Sequence, residues 1–186
     1  MSTLTEIAQE LKDAKQPIML IYAFNSTGKT KLSVEYKNIT KGEGGRNTGV
    51  YYNAYSEDLF RWDNDEGNGN ENMRLEIVKS SLNPYFSSII ENASLLEEKL
   101  AFYLPKYTFG FEMNPDPEVG IDAIIFSRDR ASNIKISRGE ERIFIWCFFL
   151  ALFDADAWTA EQDAHFFIDD PVSSMDEHNI FIELFI

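Results

Sequence analysis

Apolar residues recur along the chain with helical spacing in some segments and form short continuous runs in others. Leu4, Ile7 and Leu11 fall on one side of a helix, which predicts a short helix at the start of the chain. The continuous apolar run IMLIYA at 18–23 has the length of a strand that is buried on both faces. A second helix is expected over 29–36, directly after a glycine turn at Gly28.

The middle of the chain alternates between strand-length and helix-length segments. Strands are expected at 50–55, 109–113 and 121–127, and the last two are joined by the turn-rich NPDPEVG as a hairpin. Apolar positions at helical spacing predict a helix over 80–103, and a very apolar helix is expected over 139–153.

Two loops separate predicted elements. Residues 41–48 form a glycine-rich loop, and residues 63–71 form an acidic one. The acidic loop fails the spacing of an EF-hand, because the sixth position from Asp63 is Asn68 instead of Gly and the twelfth is Arg74 instead of Glu. It is therefore interpreted as a solvated loop.

The last third of the chain completes the predicted architecture. A second buried strand is expected at 165–168 and a helix from 176 to the end. The pattern has no internal repeat and no linker, so residues 1–186 are expected to form a single α/β domain. We expect a parallel core sheet flanked by helices, with an antiparallel strand group in the middle of the chain.

Composition and charge narrow the range of functions. A chain of 186 residues with 44% hydrophobic content can bury one sizeable core. A net charge of −14 argues against extended nucleic-acid contact by this chain alone, although it leaves room for one local basic patch. The single cysteine, Cys147, excludes an internal disulfide. Because a signal peptide is also lacking and the apolar run 143–153 is too short to cross a bilayer, a cytoplasmic protein is expected.

The first chemical motif is AFNSTGKT at 23–30, which follows the predicted strand 18–23 and begins the predicted helix. It matches the P-loop pattern except that Ala23 replaces the first glycine. Backbone N–H groups at a helix start bind phosphate, a lysine reaches the β- and γ-phosphates, and a threonine hydroxyl coordinates Mg²⁺. The alternative is a chance GKT turn before a helix. The candidate nucleotide-binding residues here are Asn25, Ser26, Thr27, Gly28, Lys29 and Thr30.

The second motif is HFFIDD at 165–170, an apolar strand that ends in two acids. This is typical of a Walker B element, in which Asp169 would hold Mg²⁺ and Asp170 would orient or deprotonate the attacking water. Asp170 and Lys29 are the candidate catalytic residues, and Thr30 would complete the metal site. The alternative is a strand followed by two solvated acids.

The third motif is SRGEE at 137–141, just before the apolar helix. It looks like the signature LSGG(E/Q) of ABC proteins, in which Ser137, Gly139 and Glu140 would face a γ-phosphate at a helix start. The alternative is a capping box with Ser137 as the N-cap and Glu140 three residues later. Both interpretations can hold together.

Two further segments are candidate interface or metal residues. In PVSSMD at 171–176, Ser174 and Asp176 would cross a dimer interface as a D-loop, or Asp176 would cap a helix. Asn53 is the nearest amide to a Q-loop, where it would approach Mg²⁺; otherwise it is an asparagine at a turn.

Taken in order, these segments resemble the ATPase heads of the ABC, SMC and RecF type. The string DDPVSSMD is similar to DDPVSSLD of bacterial ABC-like ATPases typified by the PrrC and RloC anticodon nucleases, and IYAFNSTGKT resembles their P-loop. The resemblance runs from Ile18 to the C-terminus. It implies ATP and Mg²⁺ as ligands, slow ATP hydrolysis and a homodimer around sandwiched ATP. It also implies a role in bacterial anti-phage defence, with an effector nuclease or toxin as partner.

The sequence departs from that family at several points. Asp170 stands where most relatives have Glu, no Gln follows the strand at 50–55, and the chain ends before the switch histidine. His165 and His178 are not that histidine. No nuclease constellation is recognisable, so we expect either a truncated head or a minimal ATPase subunit. A non-catalytic, ATP-dependent dimerisation scaffold and a RecF-like DNA-repair ATPase remain the alternatives.

Overall fold

The computed structural model is an α/β structure. It describes residues 2–16, 19, 21, 24, 27–41, 49–52, 54–80, 82–155 and 165–169. The helices are α1 (Leu4–Asp13), α2 (Lys29–Ile39), α3 (Phe86–Glu91), α4 (Ala93–Ala101) and α5 (Arg138–Asp154). The strands are β1 (Gly49–Tyr52), β2 (Phe60–Asp63), β3 (Arg74–Ile77), β4 (Thr108–Met113), β5 (Ile121–Ser127) and β6 (His165–Ile168). Short 3₁₀ turns cover Ala54–Leu59, Glu66–Asn68 and Asn83–Tyr85.

The larger of the two sheets is antiparallel, with strand order β2-β3-β5-β4. The second sheet pairs β1 with β6 in parallel. The expected antiparallel group is therefore confirmed, and it is larger than the predicted hairpin of β4 and β5. The expectation that a parallel sheet forms the main sheet is wrong for the described residues, in which a single parallel pair is present.

Strands β2 and β3, which the sequence analysis did not predict, make the antiparallel sheet larger than the predicted hairpin. In β2, Phe60 and Trp62 point to the core while Arg61 lies on the outer face, and in β3 Leu75 and Ile77 alternate in the same way with charged neighbours. This period-2 alternation is typical of a half-buried strand. Each strand has only four residues and two of them are charged, so its sequence signal does not distinguish it from a loop.

Helix α5 lies at the centre of the packing, between the two sheets. Phe144 is fully buried, and its ring lies 5.0 Å from Phe126 of β5 and 5.3 Å from Phe109 of β4. On another side of the helix, Trp146 lies 5.0 Å from Tyr52 of β1. Edge-on and tilted aromatic pairs at these distances add about 0.5–1.5 kcal/mol each beyond area burial.

The N-terminal helices α1 and α2 pack against each other. Thr3 and Glu6 close a capping box at the start of α1, with Thr3 Oγ1 accepting from Glu6 N–H at 3.2 Å. At the other end of the pair, Lys12 Nζ donates to the Ile39 carbonyl at 3.0 Å and so meets the last turn of α2. A cation is stabilised there by the helix dipole.

Several predicted boundaries are confirmed and others move. The helices at 4–11, 29–36 and 139–153 and the strand at 165–168 are confirmed. The helix expected over 80–103 is interrupted at Asn92, whose φ of −123° and ψ of 45° leave the helical region between α3 and α4.

Other expectations change at their ends or concern residues that the structure does not describe. The strand expected over 50–55 ends at Tyr52 and gives way to a 3₁₀ turn. The strand at 18–23 is described only at two isolated residues, and the loop at 41–48 only at its first residue. The helix from 176 lies outside the described residues.

The acidic loop is solvated, as expected. Residues 66–72 are all exposed, and the Asp65 carboxylate accepts hydrogen bonds from Asn68 and Asn72 within the loop itself. In the described part of the chain, no helix combines the length and the apolar character needed to cross a membrane.

The central position of α5 predicts the cost of a single truncation. Phe144→Ala removes a fully buried ring that contacts both β4 and β5, and it should lower the free energy of unfolding by about 3–5 kcal/mol. Phe102→Ala is the matched control because its ring is 55% exposed, and it should cost about 0.5 kcal/mol or less. Urea denaturation followed by tryptophan fluorescence measures both, and equal costs would contradict the central role of α5.

Candidate nucleotide-binding site

The segment before α2 makes a tight turn at its glycine. Gly28 is the N-cap of α2 with φ of 105°, a left-handed conformation that glycine adopts without steric cost. A Cβ at this position would meet nothing within 4 Å, so the backbone conformation and not the available space requires glycine. Both the N–H and the hydroxyl of Thr27 donate to the Phe24 carbonyl, at 3.3 and 2.6 Å.

The start of α2 differs from the starts of α1 and α5. Thr3 caps α1 and Ser137 caps α5, each as part of a capping box. No side chain among the described residues caps α2 at Gly28. The first N–H groups of a helix need acceptors and carry the positive end of its dipole. Among these three helices, α2 is therefore the one whose first N–H groups have no side-chain cap from the described residues.

Strands β1 and β6 end at the same edge of their sheet. The strands are parallel, with Tyr52 opposite Ile168, and the Asp169 N–H continues the pairing by donating to the Tyr52 carbonyl at 2.8 Å. Asp169 is half-buried. The carboxyl ends of parallel strands lie at the same edge of a sheet. Asp169, at the end of β6, therefore lies beside the end of β1.

Strand β6 is covered on both faces. Phe166 and Phe167 are neighbours in the strand and therefore point to opposite sides. Phe167 lies 6.0 Å from Tyr36 of α2, while Phe166 stacks on Trp146 and Phe153 of α5 at 6.0 and 5.3 Å. The helix that begins after Gly28 and the helix that begins after Ser137 thus pack on opposite faces of the strand that leads to Asp169.

At the start of α5 the predicted capping box is present. Ser137 Oγ accepts from the Glu140 N–H at 3.3 Å, and Glu140 Oε2 accepts from the Ser137 N–H at 2.9 Å. Gly139 follows in the first turn, and a Cβ added there would meet nothing within 4 Å. The capping interpretation of this motif is thereby confirmed, while its phosphate contact stays a prediction.

The two acids in the first turn of α5, Glu140 and Glu141, have partners in or next to the antiparallel sheet. Glu140 Oε1 accepts from Arg128 Nη2 at 2.6 Å, and Glu141 Oε2 accepts from Trp62 Nε1 at 3.0 Å. Partial burial of Glu140 alone would raise its pKa, but the hydrogen bonds from Ser137 and the charge of Arg128 outweigh it, so the pKa lies below its usual value. Glu140 is therefore ionised at neutral pH.

The residues that hold the start of α5 were missed by sequence reasoning. Arg128 also donates through Nε to the Lys106 carbonyl at 2.9 Å, which ties the beginning of β4 to the end of β5. Arg142, one turn further along α5, lies 3.5 Å from Glu57 in the 3₁₀ turn after β1. These partners come from distant parts of the chain, and no local motif marks them.

The structure brings together some candidates and leaves others apart. Gly28, Lys29 and Thr30 lie at the start of α2, which packs beside β6, whereas Glu140, the capping partner of Ser137, pairs with Arg128 at the end of β5. Asn25, Ser26, Asn53, Asp170, Ser174 and Asp176 lie outside the described residues. Within the described ranges, no group of three or more His, Cys, Asp or Glu side chains could hold a metal ion.

Comparison with known proteins yields one curated relative. The chain is 32% identical over 230 aligned positions to an anticodon nuclease of Escherichia coli, and the alignment covers 98% of this chain and 57% of the relative. The aligned region is longer than the chain's 186 residues, so the relative has additional residues within it. No protein-family model matches the sequence, and no solved structure matches it. The chain is related to this anticodon nuclease along almost its whole length and spans little more than half of it.

Proposed function

We propose that this chain binds Mg-ATP at the start of α2 and hydrolyses it slowly, as an ATPase head of the ABC type. The observation that carries the proposal is the packing of α2 on β6 through Tyr36 and Phe167. This contact sets the helix that follows the left-handed Gly28 beside the strand that leads to Asp169. A phosphate-binding helix start next to a strand ending in an acid is the arrangement that P-loop chemistry uses.

Each candidate residue has a chemical role in this proposal. Lys29 reaches the β- and γ-phosphates, while Thr30 and Asp169 hold Mg²⁺, with Asn53 near it. Asp170 orients the attacking water and accepts its proton. The water oxygen forms the new bond to the γ-phosphorus, and the bond to the β–γ bridging oxygen breaks, which releases ADP and phosphate.

The start of α5 would complete the site of a second copy. Ser137 caps α5 together with Glu140, which pairs with Arg128 at the end of β5, while α2 lies across β6 from α5. In our proposal one subunit therefore supplies Lys29 and its partner supplies Ser137 and Gly139, with Ser174 and Asp176 at the same interface. ATP is sandwiched between two head-to-tail copies.

The relationship to an anticodon nuclease suggests the setting of this ATPase. We propose that ATP binding and hydrolysis regulate an RNA-cleaving effector in bacterial anti-phage defence. Anticodon nuclease activity of the chain itself is a second candidate, favoured by the 32% identity. Incubation of purified chain with total tRNA, with and without ATP, tests it directly: cleavage at an anticodon supports that candidate, whereas intact tRNA leaves the regulator proposal.

The first test concerns the phosphate contact of Lys29. Lys29→Ala removes charge-assisted contacts worth roughly 1.5–3 kcal/mol, so ATP affinity should fall by about tenfold or more. Isothermal titration calorimetry with Mg-ATP measures the affinity. Lys31→Ala is the matched control, because Lys31 is exposed two residues further along the same helix. Equal affinities for the two variants would rule out the phosphate role of Lys29.

The second test separates the two acids after β6. Asp170→Asn should leave ATP affinity unchanged while ATP turnover falls by about 100-fold or more, because the carboxylate that activates water is lost. Asp169→Asn should instead raise the Mg²⁺ concentration that half-saturates turnover. Asp129→Asn, at an exposed acid in the loop after β5, is the control. Tight ATP binding without turnover in the unmodified chain would favour a dimerisation scaffold.

The third test concerns the dimer. Asp170→Asn protein at micromolar concentration should double its mass by light scattering when Mg-ATP is added, because like charges of −14 otherwise keep the copies apart. Adding Ser137→Arg should abolish the doubling through bulk at the γ-phosphate, whereas Ser132→Arg, at an exposed loop serine, should not. Thermal unfolding identifies the loss of the N-cap, about 1 kcal/mol, as a separate effect. If the molecular mass does not change when Mg-ATP is added, the ATP-sandwiched dimer is contradicted.

A further inference from the structure

We infer that Arg138 acts in trans as a catalytic arginine, placing its guanidinium against the γ-phosphate held by the second copy. The inference deepens the proposed function and rests on it. Arg138 is the first residue of α5, directly after Ser137, and it occupies a position where the signature LSGG has glycine. A glycine there offers only its backbone, so this chain has added a cation to the start of the helix.

The side chain of Arg138 is available for such a contact. It is exposed, and within the described part of the chain it makes no hydrogen bond and no ion pair. The other arginines around the start of α5 are occupied: Arg128 is paired with Glu140 and Arg142 with Glu57. Arg138 is thus the arginine in the first turns of α5 that is left for an external anion.

The two neighbouring acids do not compete for Arg138. Glu140 is engaged by Ser137 and Arg128, and Glu141 is engaged by Trp62 on β2. Without these partners, two carboxylates in the first turn of α5 would attract the guanidinium and repel a phosphate. The antiparallel sheet therefore keeps both acids in place and leaves the positive charge of Arg138 exposed.

The surrounding charge favours the same partner. The basic segment, residues 128–138, carries Arg130, Lys135 and Arg138 against a single acid, Asp129, in addition to Arg128, which is paired with Glu140. The chain as a whole has a charge of −14, so the rest of its surface is strongly acidic. Electrostatic complementarity then orients a second copy with its nucleotide toward this segment, and a polyphosphate supplies the densest negative charge available.

The proposed chemistry adds no bond-making step. Water still forms the new bond to the γ-phosphorus, and the electron pair of the broken bond leaves on the bridging oxygen of ADP. Arg138 donates hydrogen bonds to the phosphoryl oxygens, whose negative charge must be stabilised as the γ-phosphoryl group is transferred. Arginines supplied in trans to phosphoryl transfer are worth about 10³–10⁵ in rate in the enzymes where they are best known.

The experiment measures ATP turnover and ATP affinity for Arg138→Gln. We expect turnover to fall by about tenfold or more while the affinity of the monomer for Mg-ATP is unchanged. Arg130→Gln is the matched control: it removes the same charge from the same basic segment, and Arg130 is likewise exposed. It should retain most of the turnover.

A mixing experiment shows whether the arginine acts across the interface. Arg138→Gln and Lys29→Ala should each have reduced turnover alone, and mixing them should restore part of it. One site of the mixed dimer then combines an intact Lys29 with an intact Arg138. Absence of restoration, or equal effects of Arg138→Gln and Arg130→Gln, overturns the inference while the proposed function stands. Absence of ATP turnover in the unmodified chain overturns both.

Discussion

The aromatic packing of α5 is the interaction on which the rest of the structure depends. Phe144 contacts the antiparallel sheet, while Trp146 and Phe153 contact the β1–β6 pair. Helix α5 packs against both sheets, and its surface is therefore apolar in nearly every direction. A helix at the protein surface is instead apolar along one face only. The position of α5 fixes both the start of the helix at Ser137 and the strand that leads to Asp169.

Long helices can be predicted from the sequence better than short strands. Local side-chain motifs can likewise be predicted better than contacts between distant segments. Helical spacing of apolar residues locates α1, the glycine turn marks the start of α2, and α5 is recognised by an apolar stretch that is longer than an ordinary strand. The strands FRWD (60–63) and RLEI (74–77) escape prediction because four residues with two charges each become a strand only when paired. The break at Asn92 depends on one backbone conformation. At the site, the capping box can be predicted because Ser137 and Glu140 are three residues apart. The ion pair between Glu140 and Arg128 cannot, because it depends on where β5 ends relative to α5.

Charge placement at the start of α5 follows a simple physical requirement. Two adjacent carboxylates at a helix N-terminus are favoured by the dipole, yet they oppose the approach of any other anion. The sheet resolves this conflict by supplying one cationic and one neutral donor, Arg128 directly after β5 and Trp62 in β2. The antiparallel strand group is thus more than a support for the core, since it sets the electrostatic character of the surface beside it.

The contact between Lys12 and Ile39 makes the two ends of α2 chemically different. Helix α2 has 11 residues, so its two ends lie about 16 Å apart. At one end, no side chain of the described residues caps the helix at Gly28, while at the other end Lys12 of α1 donates to the Ile39 carbonyl. The negative end of the helix dipole is therefore compensated by a cation of the chain itself, whereas the positive end has no such partner among the described residues. A negative charge is what this helix can still accept from outside.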